Sequence, residues 1–294
     1  MNTGTIRLAG VELGGTKAIV VSGEPGAIER MERVPVTAPR ETLAAIAAIL
    51  SAWHRDQPIG ALGIASFGPV GIIPGTPSYG RMLHTPKPGW SDVELVERLG
   101  STIGGPVAIH TDVTAAALAE GSIGAALGLS DHVYMTIGTG IGIGIVAGGT
   151  PLIGQMHPEG GHMLVRQIAG DSFEGNCPFH GPCFEGLASG PAIAARLGQK
   201  GQDIPDDHPV WDYVIDAIAE ASANLFMTLS SQAIVLGGGV INERTWMVER
   251  VATLCARKLG GYLPFVGDAA PIHAAALGDE AGPNGALLLA KSAI

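Results

Sequence analysis

The chain has 294 residues, 46% hydrophobic and 15% charged, enough apolar material for one large core or two ordinary ones and too ordered a composition for a disordered chain. Its 17 Lys+Arg against 27 Asp+Glu give a formal net charge of −10, and with no basic block this excludes a nucleic-acid partner held through phosphates. Three cysteines, an odd number, do not make a disulfide scaffold and suit a reducing cytoplasm.

Met1 to Gly10 lacks the basic flank and apolar run of a secretory signal. Ile6 to Ala9 is a short apolar strand that runs into Gly10-Val11-Glu12-Leu13-Gly14-Gly15-Thr16-Lys17, and a second apolar run, Ala18 to Val21, follows. Strand, glycine turn, strand is a hairpin pattern. Pro39 to Trp53 carries Leu43, Ile46, Ala47, Ile49 and Leu50 at helical spacing, with Thr37 as its cap. Ala61 to Ser66 reads as a strand ending in Phe67-Gly68-Pro69, and Ser91 to Leu99 as a helix capped by Ser91. Val107 to Ile109 is a further strand, and Thr111 and Asp112 stand where it meets an alanine-rich helix, Ala115 to Ala119.

The pattern then restarts with a strand, Val133 to Ile137, a turn, Gly138-Thr139-Gly140, and a strand, Ile141 to Val146. The stretch Val133 to Met156 is uncharged, but Thr136, Thr139, Thr150, Pro151 and its glycines suit two strands and a turn, not a membrane span. Gly154 to Gly190 is irregular and rich in Gly, Pro, His and Cys. Helices over Val210 to Leu229, Glu243 to Lys258 and Asn284 to Ala293, and a strand over Ile234 to Leu236, complete the chain. Each half opens on a glycine-tipped hairpin, which predicts an α/β protein of two related lobes packed around a shared cleft.

Six constellations carry chemistry. Glu12 to Lys17 places glycine N–H groups, the Thr16 hydroxyl and the Lys17 ammonium at a strand tip, where they can converge on a phosphate, with Glu12 placed for a hydrated Mg²⁺. An ordinary hairpin turn would use the same glycines. Thr136-Ile137-Gly138-Thr139-Gly140-Ile141-Gly142 repeats the device, and two such turns suit a nucleoside triphosphate better than one. Gly237-Gly238-Gly239, after a strand and before a helix capped by Asn242, is a third nucleotide-contact geometry. Asp112 is either a helix cap or a general base for an attacking hydroxyl. Cys177-Pro178-Phe179-His180-Gly181-Pro182-Cys183, with His162 upstream, offers the donor set of a tetrahedral, closed and therefore structural Zn²⁺ site. Surface thiols are the alternative; a redox pair normally has Cys-x-x-Cys. His157 is a weaker ligand candidate, and Cys255 belongs to a helix core face. Glu159 and Glu185 flank this loop, either as acceptors for sugar hydroxyls or as solvated charges.

Together these residues resemble the ROK family of sugar kinases, and its bacterial fructokinase branch in particular, over nearly the whole chain. Glu12 to Lys17 is similar to the phosphate turn of that branch, with Glu where glucokinases have Asp. Ile64-Ala65-Ser66-Phe67-Gly68-Pro69 is similar to its sugar-side loop, and Thr85-Pro86-Lys87-Pro88-Gly89-Trp90 to a stretch typical of the branch. The run Cys177 to Gly190 is the most specific likeness. Glucokinases of the family carry three Cys in the zinc loop and Asn before the catalytic Asp, where this chain has Thr111, and both differences favour fructose.

The resemblance implies a two-lobed actin-like ATPase (ribonuclease H-like) fold with a zinc-bearing insertion. The N-terminal lobe would hold residues 1–113 and 275–294, the C-terminal lobe residues 114–274. It implies Asp112 as general base and Glu12 as the Mg²⁺-associated carboxylate. ATP would meet Gly14, Gly15, Thr16, Lys17, Thr136, Gly138, Thr139, Gly140, Gly237 and Gly238. The sugar would meet Ser66, Gly68, Pro69, Thr111, Glu159, His162 and Glu185, with His162 also a zinc ligand beside Cys177, His180 and Cys183. The expected activity is ATP-dependent phosphorylation of fructose to fructose 6-phosphate by a cytoplasmic homodimer. A kinase for mannose, glucose or an N-acetylhexosamine, and a non-catalytic sugar-binding regulator, are the other readings. ROK repressors carry an N-terminal helix-turn-helix domain, for which a chain beginning at its first strand leaves no room. Three positions depart from the family: Thr114 for Asn, Gly161 for Met and Gly71 for Asp.

Overall fold

The computed structural model describes residues 6–294; Met1 to Thr5, part of the stretch read above for a secretory signal, lie outside the described residues. The chain forms two compact units. The first holds the chain up to Ile123, then Pro151–Pro158 and Asp279–Ile294; the second holds Gly124–Thr150 and Glu159–Gly278.

The first unit opens with strands β1 (Arg7–Leu13), β2 (Lys17–Glu24) and β3 (Ala27–Pro35). Helix α1 (Pro39–Asp56), β4 (Ile59–Ser66), α2 (Leu95–Gly100), β5 (Val107–Thr111) and α3 (Asp112–Ile123) follow. The sheet order is β3-β2-β1-β4-β5. Central β1 runs antiparallel to β2, with Leu13 opposite Ala18, and parallel to β4. Side chains alternate along a strand, so Ala9, Val11 and Leu13 join the core with Leu43, Ile46 and Leu50 of α1. The other face of the sheet, with Leu8, Ile19 and Val21, takes Leu287 and Ala290 from the end of the chain.

The second unit repeats the plan. Strands β6 (His132–Ile137), β7 (Ile141–Ala147) and the two-residue β8 (Thr150–Pro151) are followed by α4 (Phe184–Ala188), α5 (Gly190–Leu197) and α6 (Val210–Leu229). Then come β9 (Ala233–Gly237), α7 (Gly239–Asn242), α8 (Trp246–Leu259) and β10 (Ile272–Ala274). Its sheet order is β10-β9-β6-β7-β8, with β6 antiparallel to β7 and parallel to β9. A hairpin whose first strand is central and pairs in parallel with a later strand on its other side thus occurs in both units. Trp211 and Phe226 of α6 and Val251 and Cys255 of α8 pack with Met135, Ile234 and Leu236 of the sheet, so Cys255 is a core thiol.

The last helix, α9 (Ala281–Ser292), belongs to the first unit and crosses β1, β4 and α3. Gly63 of β4 permits the crossing, because a Cβ there would lie 1.9 Å from the Ala286 carbonyl oxygen. No helix of the described residues is long and apolar enough to cross a membrane, and Val133 to Met156 contains the β6–β7 hairpin.

Local departures from the sequence reading have local causes. Thr37 does not cap α1: Ala38 holds the cap position, and the Thr37 N–H donates to Thr42 Oγ1 at 2.9 Å. The helix expected from Ser91 begins only at Leu95, because Asp92 has a φ of 64°. The Ser91 hydroxyl oxygen instead accepts the Thr85 N–H at 3.2 Å. Asn242 ends the short α7, and α8 starts at Trp246. Strand β3 carries Glu29, Arg30, Glu32 and Arg33 on an edge, which hides its apolar alternation. The segment from Gly154 to Gly190, expected to be irregular, contains a 3-10 turn over Gly160–His162 and α4.

Candidate active site

In the first unit the tip of the β1–β2 hairpin holds the first glycine turn. Gly14 N–H donates to the Lys17 carbonyl at 3.0 Å, which folds the turn, and Gly15, Thr16 and Lys17 are exposed. Lys17 Nζ lies 3.2 Å from Asp279 Oδ2. Alternation along β1 turns Glu12 towards α9, where a Cβ on Gly282 would lie 2.3 Å from Glu12 Oε1. Glu12 Oε2 is buried without a hydrogen-bond partner. Burial, with the Asp112 carboxylate next, raises the Glu12 pKa to about 7; Lys17 lowers it and Asp279 raises it. An orphaned buried carboxylate oxygen among further carboxylates fits a hydrated divalent cation.

Asp112 is the first residue of α3, immediately after β5. Its Oδ1 accepts the Val113 N–H at 2.8 Å. The more ordinary cap is Thr111, whose Oγ1 accepts the Thr114 N–H at 3.3 Å and donates to Thr114 Oγ1 at 2.8 Å. Thr111 is 4% exposed, so its hydroxyl is spent on the start of α3, and Thr114 is the partner that receives it. Thr111 and Asp112 thus both hold N–H groups at the start of α3, and Asp112 is half-exposed at the strand-to-helix junction.

Ser66 ends β4, is fully buried, and donates its hydroxyl to the Phe67 carbonyl at 2.9 Å. The Gly68–Pro69 peptide that follows is cis. The Pro69 carbonyl accepts the Leu83 N–H at 2.8 Å, and the Val70 N–H donates to His157 Nε2 at 3.1 Å. His157 thus braces the Gly68–Pro69 turn and is not part of the Cys/His cluster. Beside it, His110 Nδ1 accepts the Thr111 N–H at 2.9 Å while its buried Nε2 has no partner. Burial, then His157, lowers the His110 pKa to about 4. Gly71 packs against the Ser78 backbone, whose carbonyl oxygen would lie 1.8 Å from a Cβ.

In the second unit the β6–β7 tip holds the second turn. Gly138 N–H donates to the Gly140 carbonyl at 3.0 Å, and the Gly138 carbonyl accepts the Gly190 N–H of α5 at 2.8 Å. The third turn lies against it: Gly238, at a φ of +86°, has Thr136 Oγ1 2.6 Å and Ile137 N 2.5 Å from where a Cβ would be. Thr136, Gly138, Thr139, Gly140, Gly237 and Gly238 therefore gather at one end of one sheet. Glu185, in the first turn of α4, accepts the Ile141 N–H at 2.9 Å. Glu159 is exposed, and its carbonyl accepts the His162 N–H at 3.0 Å in the 3-10 turn. That turn lies on β7, with the Ile141 carbonyl oxygen 1.8 Å from where a Cβ on Gly161 would be.

His162, Cys177, His180 and Cys183 converge, with one ligand atom from each lying within 4.8 Å of the others. Cys177 Sγ is 3.7 Å from both His162 Nδ1 and His180 Nδ1, and Cys183 Sγ is 3.8 Å from His162 Nδ1. Bond lengths of ~2.3 Å to sulfur and ~2.0 Å to nitrogen put the edge of a tetrahedron near 3.6 Å, so the donor set and spacing fit Zn²⁺. Between these ligands the chain is held a second time, by a bidentate pair of Arg196 with Asp171 at 2.7 and 2.8 Å. A cavity of about 660 Å³ lined by Asp171, Phe173, Arg196 and Tyr213 contains none of the candidate site residues.

Sequence reasoning missed Asp279, His110 and the bracing role of His157. Asp279 and His110 stand outside any motif, and His157 was legible only as a metal-ligand type.

The chain is 40% identical over 290 residues to a fructokinase of Pediococcus pentosaceus, covering 98% of both chains. It is 36% identical over 290 residues to a fructokinase of Zymomonas mobilis, covering 96% of both. The solved structure of a ROK hexokinase from Thermus thermophilus superposes with a TM-score of 0.78 at 26% identity, covering 98% of both. The fold is therefore the α/β actin-like ATPase fold of ROK sugar kinases, here with a Cys/His cluster that fits a zinc site. The ROK family model matches residues 8–293, and the chain belongs to the ROK family.

Proposed function

We propose that the protein is an ATP-dependent fructokinase, transferring the γ-phosphoryl of ATP to the 6-hydroxyl of fructose. The observation that carries this reading is the fructokinase likeness over 98% of the chain, joined to the Glu12 and Asp112 carboxylates beside the first glycine turn. Asp112 accepts the proton of the attacking hydroxyl as the new P–O bond forms and the bond to the leaving ADP breaks. Gly14, Gly15, Thr16 and Lys17, with Thr136, Gly138, Thr139 and Gly140, hold the phosphates through N–H and hydroxyl donors. Gly237 and Gly238 let the nucleoside approach the backbone. Ser66, Gly68, Pro69, Thr111, Glu159, His162 and Glu185 shape the sugar side.

Glu12 would hold hydrated Mg²⁺, which neutralises phosphate charge when bound. His162, Cys177, His180 and Cys183 would hold structural Zn²⁺, which fixes the loop and leaves no open coordination position. The same proposal has the protein act as a cytoplasmic homodimer.

The test is ADP release with ATP–Mg²⁺ against fructose, mannose, glucose and N-acetylmannosamine. The expected result is turnover highest with fructose. Highest turnover on another hexose rejects fructose as substrate and keeps the kinase. Sugar binding without ADP release replaces the enzyme with a sugar-binding regulator.

A further inference from the structure

The Thr85–Trp90 stretch has no part in the reaction so far. It is a rigid arm. Thr85 and Trp90 are buried, and the Trp90 indole N–H donates to the Thr37 carbonyl at 3.1 Å. Phe67 meets the Trp90 ring edge-on with centroids 5.3 Å apart. Between these anchors Lys87-Pro88-Gly89-Trp90 closes a turn, with Trp90 N–H donating to the Lys87 carbonyl at 3.2 Å and Gly89 at a φ of +77°. Proline at the second position and a positive-φ glycine at the third are the requirements of a type II turn. Pro86 stiffens the approach from the other side.

Lys87, which opens this turn, sends its ammonium to the Gly15 carbonyl at the tip of the first glycine turn, with the ammonium 5.7 Å from the centre of the Phe67 ring. One of its three N–H donors is used there. The electrostatics around the tip make this placement consequential. Glu12, Asp112 and Asp279 put carboxylates near the turn, and Lys17 is paired with Asp279. The contacts of Lys87 are a carbonyl and a ring, not a carboxylate. Among the described residues it is the cation at this turn whose charge is not committed to an acid.

We propose that Lys87 is a catalytic residue that contacts the transferring phosphoryl group and stabilises the charge spread over its oxygens. The inference rests on the kinase reading above. Phosphoryl transfer asks the protein for positioned charge more than for bond making. A lysine on a pre-shaped arm supplies that charge with little reorganisation. No covalent step occurs at Lys87: the proton of the hydroxyl goes to Asp112, and the ammonium stays protonated.

The experiment compares wild type with K87M, K87R and K87A, using fructose, ATP and Mg²⁺, with thermal melts to establish folding. K87M is expected to lose about 100-fold in kcat, the scale of one removed charge-stabilising donor, with KM for fructose within twofold. K87R is expected to keep most of the rate, and ethylammonium to restore K87A activity saturably. A kcat for K87M within threefold of wild type overturns the inference. So does a K87R as slow as K87M together with no amine rescue, which would make Lys87 only a tether for the turn. Wild-type protein that releases no ADP with any hexose removes the kinase reading and this inference with it.

Discussion

Glu185 accepts the backbone N–H of Ile141 at 2.9 Å, so a carboxylate from α4 fixes the tip of the second glycine turn. Cys183 caps the same helix, its sulfur accepting the Gly186 N–H at 3.5 Å. The chain of contacts runs from the Cys/His cluster through one turn of helix to the second glycine turn. Both E185A and zinc removal are therefore expected to raise KM for ATP. A colorimetric zinc assay beside initial-rate kinetics reads both, and an unchanged KM for ATP in the stripped protein would break the link. Cys177→Ser is expected to lose the metal and expose the loop to protease, with cleavage starting outside the Asp171–Arg196 clasp.

Asp112→Asn should reduce turnover by about 10²–10⁴-fold, the usual contribution of a general base. The Val113 N–H bond survives, since an amide oxygen can still accept it, so the melting temperature should hold. Near-normal turnover with ATP and fructose would remove Asp112 as the base.

Glu12 imposes a pH dependence with a definite sign. Its folded-state pKa is raised from 4.5 to about 7, so the folded chain holds this proton more tightly than the unfolded chain. The stability it contributes is full below pH 4.5 and is lost as pH rises through about 7. At ~1.4 kcal/mol for each pKa unit, the loss is about 3 kcal/mol at most. Melts of divalent-free protein should fall between pH 5 and 8, and E12Q should flatten that limb. Added Mg²⁺ at pH 8 should raise the wild-type midpoint and leave E12Q unmoved; matching profiles for the two proteins would refute the assignment.

His110 works in the opposite direction. Its pKa is lowered from 6.5 to about 4, so the unfolded chain takes up the proton first. Stability is present above pH 6.5 and drains away as pH falls towards 4. H110N keeps an acceptor for the Thr111 N–H and should weaken this acid limb in pH-resolved denaturant melts. An acid limb as steep in H110N as in wild type would assign it elsewhere.

Gly71 and Gly161 are held to glycine by local packing. Each lies with a backbone carbonyl oxygen 1.8 Å from where a Cβ would be. G71A and G161A should each lose about 1–3 kcal/mol in urea denaturation, the cost of overpacking. G15A, where a Cβ meets nothing within 4 Å, should not. Equal midpoints for G71A and G15A would contradict the packing.

The hairpins, the Cys/His cluster and the strand-to-helix position of Asp112 were legible because each rests on local pattern: alternation, glycine turns and ligand spacing. What was not legible depends on pairs distant in sequence. Glu12 owes its raised pKa to burial beneath α9, whose Gly282 lies 270 residues on. His157 was legible as a donor type, yet its partner is the Val70 N–H. The edge strand β3 drew no strand reading from the sequence, because an edge tolerates charge where a central strand does not.

The crossing of α9 over Gly63 has a consequence for the chain as it is made. Translation proceeds from the N-terminus, so β1 to β5 leave the ribosome long before residues 281–292. Until those residues emerge, Leu8, Ile19 and Val21 have no helix to cover them, and Glu12 lies open to water. The middle of the chain carries most of its own packing partners and can settle while synthesis continues. The acidic pocket at Glu12 is thus completed last, and a nascent chain stalled or truncated before Ala281 would lack it.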